Sequence, residues 1–283
     1  MAALLHAELT TRLAQISDTP NLDASVLLAH VVNKPRTWVM AHPELALTAE
    51  QQRQLDESLT RLENGESFPY VLGHWEFFGL NLEVTPDVLI PRPETELLVE
   101  KAIVWLQEDF ARRRVADVGT GSGAIAISLA VNVPHVNILA TDISPKALQV
   151  AKRNAEKNAV SNRIDFVECN LLPLKSQHAY EGLEVDLLCA NLPYIPTQTL
   201  HELPIYGREP TLALDGGEDG LEIIKNLLQI APFWLVPHGL ILLEIEATCG
   251  TRAVDLVQGM LPQAKINLHQ DLTGRDRLLE IHL

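Results

Sequence analysis

Arg114-Val115-Ala116-Asp117-Val118-Gly119-Thr120-Gly121-Ser122-Gly123 decides the fold, because a short apolar run breaks into three alternating glycines. An apolar helical pattern, Ala124 to Val131, follows at once. The first five residues read as a buried strand and the glycines as a tight turn. A glycine-rich turn between strand and helix lets a ligand approach backbone N–H groups at the positive end of the helix. The spacing is GxGxG, which departs from the GxGxxG of dinucleotide sites, and no P-loop Lys-Ser/Thr follows. Ser122 lies between adjacent glycines, at the wrong spacing for a hydrolase nucleophile elbow.

Moving towards the C-terminus, a second strand over Val136 to Thr141 ends at Asp142. An acid about twenty residues beyond the glycine turn is placed to accept hydrogen bonds from ribose hydroxyls. It is equally able to cap the helix that begins near Ser144-Pro145. Turn and acid together predict a nucleoside-type cofactor. A helix over Lys146 to Asn158 and a strand over Ile164 to Val167 follow, with Asn170 and Leu171 beside an adenine position. A fourth strand, Val185 to Ala190, leads into Asn191-Leu192-Pro193-Tyr194. Asn offers both an acceptor and a donor, proline stiffens the turn, and Tyr supplies an apolar face with a polar tip. That set suits an amide or amino nitrogen. A plain strand-ending turn uses the same residue types.

Glu209-Pro210 and Ala213 to Leu221, rich in glycine, precede a helix expected over Leu221 to Leu235, with Asp219 as its cap. A fifth strand, Leu240 to Ile245, is apolar until Glu244, so it reads as central. A helix over Thr251 to Gln258 and strands over Lys265 to His269 and Arg277 to His282 complete the pattern. Strands alternating with helices predict a doubly wound α/β domain.

Upstream, Ile90-Pro91-Arg92-Pro93-Glu94-Thr95-Glu96 opens a helix: Pro93 suits its first turn, and Glu94 and Glu96 suit its positive end. Arg92, held extended between prolines, either lines the site or makes a structural ion pair. Trp75 to Thr85 reads as a hairpin around Gly79. Residues 1 to 72 are helical: Leu4, Leu5, Leu9 and Leu13 share one face, Val26 to Val32 mark a second helix, and Thr48 caps a third that runs to Glu63. Gly65 stops it. This block carries no chemical motif.

The chain of 283 residues, with 47% apolar and 21% charged residues, is ordinary globular material for two domains. Its formal charge of -15 argues against a nucleic-acid partner. Cys169, Cys189 and Cys249 form no CxxC and the histidines form no HExxH, so neither a disulfide framework nor a metal site is expected. The N-terminus lacks a signal-peptide pattern and no apolar run reaches the ~18 residues of a bilayer span, so a cytoplasmic protein is expected.

These segments together resemble the release-factor glutamine methyltransferases (the HemK/PrmC type), nearly end to end. The resemblance runs through the helical block, Phe77-Phe78-Gly79, Ile90 to Glu96, Asp117 to Gly123, Asp142, Glu209-Pro210, Ala213 to Leu221 and Asp271 to Arg277. It implies a seven-stranded class I methyltransferase sheet over residues 91–283, a hairpin linker over 73–90 and a helical substrate-recognition domain over 1–72, acting as a monomer. It implies S-adenosylmethionine bound by Gly119, Thr120, Gly121, Ser122, Gly123, Asp142, Leu171 and Asn191. It places catalysis on Asn191, Pro193 and Tyr194, and the substrate on Asn191 to Tyr194 with Arg92. The family usually carries a second proline where this chain has Leu192. The reaction implied is N5-methylation of the glutamine in the Gly-Gly-Gln motif of peptide chain release factors, in translation termination. The alternatives are a nucleic-acid adenine N6-methyltransferase, since Asn-Leu-Pro-Tyr also occurs in ribosomal RNA adenine dimethyltransferases, and a non-catalytic scaffold that binds release factors.

Overall fold

Apolar residues at helical spacing in the first quarter of the chain, and at strand spacing thereafter, separate into two units, Met1–Gly73 and His74–Leu283. The structure is a computed structural model that describes residues 2–177 and 180–283, with side chains from residue 5. The Leu4 side chain therefore lies outside the described residues.

The first unit is helical: α1 (Ala2–Leu13), α2 (Pro20–Val32), α3 (Arg36–Ala41), α4 (Ala49–Glu63) and α5 (Phe68–Leu72). Leu9, Leu13, Leu27, Leu28, Leu55 and Leu59 form its core, each worth about 1.5–3 kcal/mol of burial. Thr48 begins α4 with a reciprocal capping box to Gln51. The short α3 and α5 were not expected; α3 follows Pro35, and α5 carries Pro69 in its first turn.

The second unit opens with a hairpin, β1 (His74–Phe77) and β2 (Leu80–Glu83). Then come α6 (Glu96–Glu108), β3 (Arg114–Val118), α7 (Ala124–Asn132), β4 (Asn137–Asp142), α8 (Pro145–Lys157), β5 (Ile164–Glu168) and β6 (Val185–Ala190). The chain continues through α9 (Thr197–Glu202), α10 (Glu222–Ile230), β7 (Leu235–Glu244), α11 (Gly250–Met260), β8 (Lys265–Gln270) and β9 (Asp276–His282). The sheet has seven strands in the order β5-β4-β3-β6-β7-β9-β8. Only the pairings of β9 with β7 and β8 are antiparallel. Alternate residues of the central strands face opposite cores: Leu187, Cys189, Leu240 and Leu242 one way, Leu188, Ala190, Ile241 and Leu243 the other. This is the pattern of a sheet covered on both faces.

Register sets up the site. Val118 pairs with both Thr141 and Ala190, and Ala190 pairs with Leu243. The residues that follow, Gly119, Asp142, Asn191 and Glu244, therefore leave the sheet side by side. The hairpin is tied to the turn after β3 through the fully buried Asn154 of α8. Its amide receives the Glu83 N–H and donates to the carbonyls of Glu83 and Ser122.

Two expected boundaries move. The helix expected to reach Leu235 stops at Ile230 and tightens into a 3-10 turn over Ala231–Phe233, because Pro232 cannot continue it. The strand expected from Leu240 starts at Leu235 instead, and its pairing with β6 slips between Val185 and Leu187. Pro237 and Gly239 hid the early part, and His238 at φ 66° marks the irregularity.

Candidate active site

The turn after β3 is built on a buried acid. Asp117 accepts from the Thr120 hydroxyl at 2.6 Å and from the Ala126 N–H at 3.1 Å. Burial pushes its carboxyl up to about 6 against those two bonds. The N–H groups of Gly119 and Thr120 both donate to the Thr141 carbonyl, at 2.9 and 2.8 Å, which locks the turn to the end of β4. Thr120, Ser122 and Gly123 consequently face inward and shape the turn, whereas Gly119 and Gly121 face a cavity of about 300 Å³.

Asp142 lines the same cavity. One of its oxygens accepts from the Gly121 N–H at 2.9 Å, the other from the Ser144 N–H at 2.8 Å. The cap of α8 is Ser144, whose hydroxyl receives the Ala147 N–H. Burial raises the Asp142 carboxyl and the backbone donors lower it. An ionised carboxylate has about four acceptor positions; with the Ile143 N–H also bearing on it, one stays open to a ligand hydroxyl. Ile143 beside it also lines the cavity while 49% exposed, an apolar face of the kind a base covers. Asn170, Leu171 and Cys169 continue the wall. The Cys169 thiol is pushed up to about 11 by burial and stays protonated. The lining fits a nucleoside cofactor: glycine backbone at Gly119 and Gly121 that a ligand can approach closely, a ribose acid and apolar faces.

The loop after β6 forms the opposite wall with Asn191, Leu192 and Pro193. Leu192 is buried and packs onto the Gly119 backbone, where an added Cβ would lie 3.1 Å from its Cδ2. The glycine segment from Ala213 to Leu221 clamps this loop from outside. Ile195 donates to the Leu214 carbonyl and accepts from the Gly216 N–H. A Cβ on Gly216 would come within 2.7 Å of the Tyr194 Cα, and one on Gly220 within 2.4 Å of the Tyr194 carbonyl oxygen. Both positions require glycine for this close approach. Asp215 braces the segment by accepting from Thr197 and from the Gly217 N–H. Asp219 accepts from the Leu221 N–H just ahead of α10 and does not cap it.

Behind the loop lies a polar network. The Asn191 amide nitrogen donates to Thr95 Oγ1 at 3.0 Å. The Tyr194 hydroxyl donates to Glu244 Oε1 at 3.3 Å. Glu244, at the end of β7, is 2% exposed, and its Oε2 has no aligned partner. Burial pushes its carboxyl up to about 7. The nearby Thr95 and Tyr194 hydroxyls hold it down, Glu94 raises it, and Arg277 lowers it. Burial and the Glu244 charge in turn push the Tyr194 phenol well above its ordinary value.

Arg92 is not among the cavity's lining residues. Its guanidinium pairs at 2.5 Å with the buried Glu209, which also accepts from the Ile90 N–H. Of the two readings of Arg92, the structure shows the ion pair. Glu96 accepts from the Phe78 N–H and Glu94 faces Arg277, so both acids have tertiary partners beyond the helix start. Thr95 and Glu244 were missed by the sequence reading as site residues. So were Asp87 to Leu89, Leu212 and Ile223, which complete the cavity wall. Among the described residues no cluster of His, Cys, Asp or Glu is placed to hold a metal ion, and no helix is long and apolar enough to cross a membrane.

Comparison with known proteins adds names to this geometry. Residues 5–73 match the model of the PrmC N-terminal domain, and residues 93–195 match that of the methyltransferase small domain. A release factor glutamine methyltransferase of Coxiella burnetii is 40% identical over 274 residues, 96% of this chain and 95% of its own. The protein of the same name from Escherichia coli is 39% identical over 81% of this chain and 80% of its own. The one from Vibrio cholerae is 35% identical over 98% and 96%. Among solved structures, the hMettl16 catalytic domain in complex with MAT2A 3'UTR hairpin 6 has a TM-score of 0.54 at 16% identity, covering 81% of this chain and 80% of that one. A methyltransferase from Pyrococcus furiosus has 0.51 at 18%, covering 83% and 98%. These two are likenesses of fold.

Proposed function

The chain belongs to the release factor glutamine methyltransferase family, and from that premise we propose that it methylates N5 of the glutamine in the Gly-Gly-Gln motif of peptide chain release factors, using S-adenosylmethionine. The observation that carries this reading is the shared cavity: Asn191 and Pro193 on one wall, and Gly121 and Asp142 on the other. The cofactor, when bound, supplies a methyl carbon activated by its sulfonium. Gly119, Gly121 and Asp142 would hold its amino-acid and ribose portions, with Ile143 and Leu171 against the base.

An amide nitrogen is a poor nucleophile because its lone pair is delocalised into the carbonyl. Asn191 Oδ1 and the backbone carbonyl that follows accept the two N–H groups of the substrate glutamine. That turns the nitrogen lone pair towards the methyl carbon and stabilises the positive charge that grows on nitrogen. The surplus proton leaves after transfer, so no general base is needed beforehand. Pro193 stiffens the loop, and Tyr194, which is not among the cavity's lining residues, ties it back to Glu244. The helical unit serves to grip the release factor, and the reading carries with it a cytoplasmic location.

The test is transfer of labelled methyl to a bacterial release factor, to its loop Gln→Ala variant, and to ribosomal RNA. Label on the wild-type factor alone is expected. Asn191→Ala should lose at least about 100-fold in kcat while cofactor affinity changes by less than about threefold. Wild-type turnover in that variant, or label on RNA instead, would sink the assignment.

A further inference from the structure

Part of the cavity wall comes from Asp87, Val88 and Leu89, and part from Pro210, Leu212 and Ala213. The two stretches are far apart in the chain, and neither belongs to a strand. One side chain joins them. Glu209, just ahead of the second stretch, is bonded to Ile90 and Arg92, just beyond the first. We propose that Glu209 and Arg92 are positioning residues that latch the cavity shut and so set how long the cofactor stays. This rests on the reading of the cavity as the S-adenosylmethionine site.

The latch is stiff on both sides. Arg92 is held extended, at φ -100° and ψ 142°, between Pro91 and Pro93. Glu209 is fixed by burial: its side chain is 4% exposed, whereas that of Arg92 is 31% exposed. Both carboxylate oxygens are used, Oε1 by the Arg92 guanidinium at 2.5 Å and Oε2 by the Ile90 N–H at 3.1 Å. Pulling Arg92 away would leave a buried carboxylate without its charge partner, which is strongly unfavourable. The seam is therefore closed firmly or broken as a unit. Elsewhere round the cavity, the joins are between main-chain groups. Gly119 and Thr120 donate to the Thr141 carbonyl, Val118 pairs with Ala190, and Ile195 donates to the Leu214 carbonyl. The far end of the first stretch meets α8 through Asp87 and Lys146 at 3.4 Å. Their side chains are 41% and 73% exposed, and a surface pair of this kind holds weakly. Breaking the Glu209 bonds thus lets Asp87 to Leu89 draw back from the cavity while the other walls keep their place. The cofactor leaves across this seam. The loop from Asn191, which meets the substrate amide, stays clamped by Gly216 and Gly220.

Four proteins test it: wild type, Arg92→Lys, Arg92→Met and the double variant Arg92→Met/Glu209→Gln. The double variant leaves no buried charge unpaired, so it keeps the test open if Arg92→Met fails to fold. The first readout is the dissociation rate of S-adenosylhomocysteine, by stopped-flow displacement. The second is hydrogen exchange of the backbone amides of Asp87 to Ile90, with no ligand present. The third is kcat and KM on a release factor at saturating cofactor. In Arg92→Met and the double variant, dissociation and exchange should both quicken at least about tenfold. In the same proteins kcat should fall by no more than about threefold. The bond uses one guanidinium nitrogen, so Arg92→Lys should stay within about threefold of wild type on every readout. Wild-type dissociation in a folded double variant would overturn the proposal. So would a raised KM for the release factor with unchanged dissociation, which would return Arg92 to the substrate. Quickened exchange in the variants, beside a wild type that never binds S-adenosylhomocysteine, would support the latch and overturn the cofactor reading alone.

Discussion

Glu244 and Asp117 are acids held where water does not reach, and both weaken the fold at neutral pH. Burial moves Glu244 from 4.5 up to about 7 and Asp117 from 3.8 up to about 6. The folded chain therefore binds more protons than the unfolded one across these windows, and stability falls as pH rises through them. For Glu244 the full penalty, on the order of 3 kcal/mol, is present above about pH 7 and absent below about pH 4.5. Glu244→Gln should accordingly raise the melting temperature by about 5 °C at pH 8 and leave it unchanged near pH 4. Asp117 and Asp142, whose carboxyls burial also raises, contribute to the pH dependence left in that variant. A melt of both proteins across pH 4 to 8 checks this; equal curves would show that Glu244 titrates normally. Neither Thr95 nor Glu244 was legible as a site residue. In sequence Thr95 is one residue of a helix start and Glu244 the polar end of a central strand. Their roles arise from a contact across the sheet edge, between residues 96 positions apart in the case of Thr95 and Asn191.

Elements were legible where one local rule acted alone. The strand, glycine turn and helix from Arg114 onward match the expectation almost residue for residue, since apolar run and turn chemistry agree there. The early half of β7 was hidden because Pro237 and Gly239 spoke against a strand, and pairing with β6 overrode them. The glycine segment was legible as a turn but not as a clamp. Its role follows from proximity: Gly216→Ala would press a Cβ into the Tyr194 backbone at 2.7 Å. That substitution should lower kcat at least about tenfold through the displaced loop, as misplacement of reacting groups by an ångström does. Cofactor affinity should stay within about threefold, because the turn after β3 is braced independently by Thr141. Equilibrium binding beside turnover separates the two effects; equal losses in both would point to general unfolding instead.

At the scale of the whole molecule, the doubly wound class was legible because alternating strands and helices admit few topologies, whereas the seven-stranded sheet was expected from the family resemblance. Each of the two units has a core of its own. If the helical unit grips the release factor, a chain of residues 74–283 should bind cofactor like the full protein. It should lose at least about tenfold in kcat/KM on the intact factor, measured by labelled transfer. An undiminished kcat/KM would remove substrate gripping from that unit. The strand order also has a consequence for biosynthesis. β9 lies between β7 and β8 although it is made after both. While the ribosome translates α11 and β8, at about 5–20 residues per second, the long apolar flank of β7 waits without its neighbour. For those seconds the nascent sheet carries an unprotected edge, open to pairing with another nascent chain. Rapid arrival of β9 thus bears on the yield of folded protein.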